Sequence, residues 1–122
     1  MINVWLREKS PNVDLAILIA LKIQRNWGAK IRLIQAVDNE DNKARARSYL
    51  YRIKKIMRIP KETETLVVVG DFEKVLNSVP EADMNMFGMP EEINIAQERK
   101  IVDKLDTSLL FFRDSKHESA VA

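Results

Sequence analysis

Cysteine is absent from this chain, histidine occurs once, and glycine occurs three times in 122 residues. Without cysteine there is neither a disulfide nor a thiol nucleophile, which fits a reducing compartment such as the cytosol. The single histidine, His117, lies in a polar stretch near the carboxyl end, where it reads as a solvated side chain rather than a general base. Ser108, Ser115 and Ser119 lack the flanking glycines of a nucleophile elbow. The expectation is that the chain is not an enzyme. Long apolar runs are missing too: the longest, residues 15–21, has seven residues, whereas a membrane-spanning helix needs about 20. The amino end carries no basic region and cleavage site of a secretory leader.

What is present is an alternation. Ile2, Val4 and Leu6 alternate with Asn3, Trp5 and Arg7 as in a strand, and after Ser10-Pro11-Asn12 the run from about Asp14 to Trp27 reads as a helix stopped by Gly28. Asn12 or Asp14 is placed to cap its amino end. The pattern repeats: a strand over 30–37, a helix from Asp38, Glu40 and Asp41 to about Arg58, and a β-branched strand over 65–69 before Gly70. A short helix over 71–79, a strand over 82–87, a helix over 91–105 and a strand over 108–112 follow. In the second helix, Ala46, Leu50, Ile53 and Met57 form one apolar stripe; in the fourth, Ile95 or Ala96, Val102 and Leu105 are expected to face inward.

Five strands alternating with four helices predict a three-layer α/β domain over residues 1–114, with a polar tail over 115–122. Right-handed crossovers leave few strand orders, and the preferred one is 3-2-1-4-5, with helices on both faces of a parallel sheet.

Net charge is +2, but residues 1–70 hold 14 basic against 7 acidic side chains, and residues 71–122 hold 6 against 11. Lys43, Arg45, Arg47, Arg52, Lys54, Lys55 and Arg58 follow one another with no acid between them. Such a run is either a solvated helix face or a contact with an anionic lipid surface. Nucleic acid is not expected as a partner, because aromatic platforms and groove-reading motifs are missing.

A ligand in this fold would lie outside the carboxyl ends of the first and fourth strands, residues 7–12 and 88–92. Phosphate needs glycine-rich backbone there. The chain offers instead Gly88, Pro90, Glu91 and Glu92, with Arg7, Lys9 and Lys30 as the nearby cations. No bound nucleotide or other cofactor is expected, and the carboxylates Asp38, Glu40 and Asp41 read as helix caps rather than metal ligands.

Three stretches carry a resemblance. They are Ala82-Asp83-Met84-Asn85-Met86-Phe87-Gly88-Met89-Pro90; the helix Asp14-Leu15-Ala16-Ile17-Leu18-Ile19-Ala20-Leu21 with Gln24-Arg25-Asn26-Trp27-Gly28; and Thr107-Ser108-Leu109-Leu110-Phe111-Phe112-Arg113-Asp114-Ser115 with Glu118-Ser119-Ala120-Val121-Ala122. In this order they resemble the cytosolic carboxyl-terminal domain of prokaryotic cation-chloride cotransporters, in the amino acid, polyamine and organocation transporter group. The resemblance implies a universal-stress-protein-like fold below a membrane domain, at the cytoplasmic face of the plasma membrane, with a regulatory and dimerising role. It also implies that this chain is an excised tail whose ion sites lie elsewhere. The alternative is a free-standing nucleotide-binding stress protein.

If Ala16, Ile19, Ala20, Ile23 and Trp27 face the sheet, Leu15 and Leu18 fall on the side of Lys22 and Arg25. These four are the expected contact with a second copy or with the membrane domain of the parent transporter. Coverage by a neighbouring element of the same chain is the simpler alternative.

Overall fold

The strand Ile2–Trp5 (β1) is apolar or amide-bearing at every position and buried at every position, as a central strand covered on both faces requires. It forms the middle of a computed structural model that describes residues 1–6, 13–88, 95–104 and 108–112. The remaining elements are α1 (Val13–Trp27), β2 (Ile31–Val37), α2 (Lys43–Ile56), β3 (Glu64–Val69), α3 (Phe72–Val75), β4 (Met84–Gly88), α4 (Ile95–Lys104) and β5 (Ser108–Phe112). The five strands form one sheet in the order β3-β2-β1-β4-β5, with every neighbouring pair parallel, as expected.

Strand parity separates two cores. On one face, Ile2, Val4, Ile31, Leu33 and Met86 pack with Ala16, Ile17 and Ala20 of α1 and Leu50 of α2. On the other, Trp5, Ile34 and Phe87 pack with Val75, Leu76 and Ile101, from α3, the turn after it and α4. This division follows from handedness. The chain moves outward from β1 through β2 to β3 under α1 and α2, then crosses back and moves the other way through β4 to β5 under α3 and α4.

Several local expectations are corrected. The acidic residues 40 and 41 lie in a 3-10 turn, Glu40–Asn42, and α2 proper starts at Lys43. The helix read over 71–79 is a four-residue turn of helix, because the Ser78 hydroxyl and N–H both bind the Val75 carbonyl. Among the described side chains of α4, Ile101 is buried and Val102 is exposed, while the side chains of Ile95 and Ala96, and Leu105, lie outside what is described. Trp27 shares the inward side of α1 with Ala16, Ala20 and Ile23 on a 100° wheel, yet it is 74% exposed. The last turn of α1 has passed the end of the sheet by then: Gly28 accepts a left-handed φ of 67°, and the chain returns so that Lys30 already hydrogen-bonds Ile2, the first residue of β1.

The end of α2 has a different cause from Pro60 alone. Ile59 N–H reaches the Lys54 carbonyl at 2.9 Å and Arg58 N–H reaches the Lys55 carbonyl at 3.3 Å. This is a Schellman closure, with Arg58 in the left-handed position at φ 54° and Ile59 buried behind it.

Candidate functional site

Two arrangements stand out: the outer face of the helices on the β3-β2-β1 side, and a row of polar side chains inside the sheet. On α1, Leu18, Lys22 and Arg25 recur at steps of four and three and share one exposed line. Leu18 is 44% exposed. Leu15 sits differently: it is only partly exposed and packs against the core formed by Ala16, Ile17 and β1. The structure therefore brings Leu18, Lys22 and Arg25 together at the surface and draws Leu15 partly beneath them.

The cation run of α2 divides into two groups. Lys54 turns back along the chain, and its ammonium donates to the carbonyls of Lys61 at 2.7 Å and Thr63 at 2.9 Å, clasping the turn that leads into β3. Lys55 lies over the Tyr51 ring, 4.6 Å from its centroid. Arg47, Arg52 and Arg58 are exposed.

The second arrangement was not foreseen. Glu64, Arg32, Asn3 and Asn85 are register partners across β3, β2, β1 and β4, so they form one row on the α3/α4 face. The Arg32 Nε–H donates to Glu64 at 2.9 Å and its terminal nitrogen to Asn3 Oδ1 at 3.0 Å. Asn3 Nδ2 and the same Arg32 nitrogen both approach the Pro80 carbonyl, at 3.3 and 3.4 Å. Two positions further along the strands comes an aromatic row. Trp5 stacks on Phe87 at 5.8 Å and Phe87 on Phe111 at 5.6 Å, and Trp5 Nε1–H donates back to Asn85 Oδ1 at 3.1 Å. Beside the polar row, the Met1 ammonium binds the exposed Asp83 carboxylate at 2.9 Å; this hydrogen bond, and then the charge itself, hold the carboxyl below its usual range. On the opposite face, Gln35 is buried, and its Oε1 has no hydrogen-bond partner among the described residues.

These hydrogen bonds and ring contacts join neighbouring strands of the sheet. Among the described residues there is no group of three His, Cys, Asp or Glu side chains that could hold a metal ion, and no helix long and apolar enough to cross a membrane. Of the expected ligand loops only Gly88 is described, as the last residue of β4; residues 7–12 and 89–92, with Arg7 and Lys9, lie outside the described residues. So do the tail 115–122, His117, Ser115 and Ser119. Lys30 belongs at the other end of the sheet, immediately before β2, and is not beside those loops.

The family model for the second part of the C-terminal domain of prokaryotic cation-chloride cotransporters matches residues 1–121. Among solved structures, the chain is similar to the cytoplasmic domain of a prokaryotic cation chloride cotransporter, with 26% identity and a TM-score of 0.77 over 98% of this chain and 48% of that one. This chain thus spans about half the length of that relative. A universal stress protein, solved in complex with cAMP, is similar in fold at 18% identity and a TM-score of 0.68, covering 94% of this chain and 98% of that one. No curated protein matches the sequence.

Proposed function

The chain belongs to the family of C-terminal domains of prokaryotic cation-chloride cotransporters, and from that premise we propose that it is a regulatory and dimerising domain on the cytoplasmic side of such a transporter. The observation that carries the reading is the match over residues 1–121. Ion translocation belongs to the membrane domain of the parent protein, and this part performs no catalytic step and retains no nucleotide. Its contribution is to hold two transporter subunits, or a subunit and its own membrane domain, in a defined relation. The surface for that contact is the outer line of α1, Leu18 with Lys22 and Arg25, with Leu15 supporting it from below.

Light scattering on the chain, with absorbance at 260 and 280 nm on the same peak, tests the reading. A nucleotide-free dimer that Leu18→Glu converts to a folded monomer is the expected result. A monomer that carries nucleotide through purification would replace it with the free-standing stress-protein reading. A dimer whose mass is indifferent to Leu18→Glu would remove α1 from the interface.

A further inference from the structure

From the outer face of α2 we infer a second contact surface, one that lies against an anionic lipid membrane. Arg47, Tyr51 and Lys55 recur at steps of four and form one line along the helix. Arg52 and Ile56 form a second line beside it, and Arg58 follows at the helix end. Tyr51 is 60% and Ile56 66% exposed, so two large apolar side chains stand among the cations. From Lys43 to Pro60 there is no acidic residue; Glu40 and Asp41 precede the stretch and Glu62 follows it. Lys54 is excluded from the surface, since its ammonium is spent on two backbone carbonyls.

Shape and composition select the occupant. The apolar side of α2, Ala46 and Leu50, is already seated on the sheet, so what remains is a convex ridge, about 12 Å from Arg47 to Lys55. A convex ridge of cations needs no complementary groove if its partner is a plane of negative charge. Tyr51 and Ile56 then enter the headgroup layer, while the arginine and lysine heads stay at the phosphates. The placement rests on family membership, which sets the chain beside a transporter's membrane, and not on the proposed dimer. Each cation near an anionic leaflet contributes roughly fivefold to partitioning.

Sedimentation with vesicles decides it. The intact chain is expected to bind vesicles of phosphatidylcholine with one third phosphatidylglycerol, not phosphatidylcholine alone, and to lose binding as salt shortens the screening length. Arg47→Glu with Lys55→Glu should lower partitioning by at least about 25-fold; both side chains are exposed, and circular dichroism checks that the fold is kept. Lys74→Glu with Arg99→Glu makes the same change in net charge on the opposite face of the sheet and should leave binding within about twofold of the parent, since screened charges across the domain count little. Equal loss in both pairs would reduce the effect to net charge and overturn the assignment. So would failure to bind the anionic vesicles, or a salt-dependent rise in mass without vesicles that the α2 pair abolishes, which would make the ridge a contact between protein copies. The lipid arm reads sedimentation and the dimer arm reads mass, so either proposal can fail alone.

Discussion

The Arg32 guanidinium and the Asn3 side-chain carbonyl meet at 3.0 Å between two central strands, with the Asn3 amide passing on to Pro80. Both side chains are buried, so neither can exchange its partner for bulk water. Arg32→Met is expected to cost about 2–3 kcal/mol, because Asn3 Oδ1 is left without its donor. Glu64 is the outer member of the pair and more than half exposed; Glu64→Gln should cost under about 1 kcal/mol. Urea denaturation of the two variants measures the contrast, and equal losses would mean that the row is held from its exposed end.

The three left-handed backbone positions among the described residues should respond differently to substitution. A methyl group at Gly70, where φ is 137°, would meet the Val75 side chain at 3.1 Å, so Gly70→Ala carries both strain and contact and should cost about 2–3 kcal/mol. Gly28, at φ 67°, has open space around it, and Gly28→Ala should cost only about 1 kcal/mol. Arg58→Gly is expected to stabilise by about 0.5–1 kcal/mol, since glycine fits the closing position of α2 without the Cβ penalty. Thermal unfolding of the three variants gives the order.

Asp83 sets an acid dependence. Its carboxyl is held below the ordinary 3.8 by the hydrogen bond and charge of the Met1 ammonium. A carboxyl depressed in the folded state supports folding above the ordinary value and loses that support as pH falls through the lower, folded one. Carboxyl titration by NMR should place Asp83 below the ordinary value of 3.8. Acetylation of the Met1 amine should return it to the ordinary range, and Asp83→Asn should flatten stability against pH below about 4.

The two tryptophans provide an optical check of the fold's ends. Trp5 is buried, stacked and hydrogen-bonded, whereas Trp27 is largely exposed. Trp5→Phe should leave red-shifted emission that iodide quenches readily, and Trp27→Phe should leave blue-shifted, protected emission. A blue-shifted Trp27 would mean that another surface covers the end of α1 in solution.

The strand order was legible because the order of elements and the hand of the crossovers leave little choice. The stripe Ala46, Leu50, Ile53, Met57 was legible because a helix on a sheet repeats its burial every three or four residues. The polar row was not. Asn3 and Arg32 alternate with apolar neighbours, which in an open sheet marks the solvent face; here α3, α4 and the Pro80 turn cover that face, and the amide and guanidinium satisfy each other. A signal was available in retrospect, since each polar residue lies at or next to the start of its strand and parallel registry aligns them. Trp27 misled for the converse reason: periodicity gives the direction of a side chain but not where the sheet beneath it stops. Arg58 gave no sign of its role, because closing a helix in this way is ordinarily a glycine's task.

The central position of β1 also governs how the chain is made. The earliest of these five strands in chain order pairs on one side with β2, which starts at Ile31, and on the other with β4, which starts at Met84. Its second edge therefore waits through the synthesis of roughly fifty further residues, at about 5–20 residues per second. During those seconds β1, β2 and β3 can assemble under α1 and α2 with one side of β1 unpaired and its Trp5 face uncovered. Completion of the β3-β2-β1 half ahead of β4 is thus the expected order of assembly on the ribosome, and the bare edge of β1 is the point at which a nascent chain is most open to pairing with the wrong strand.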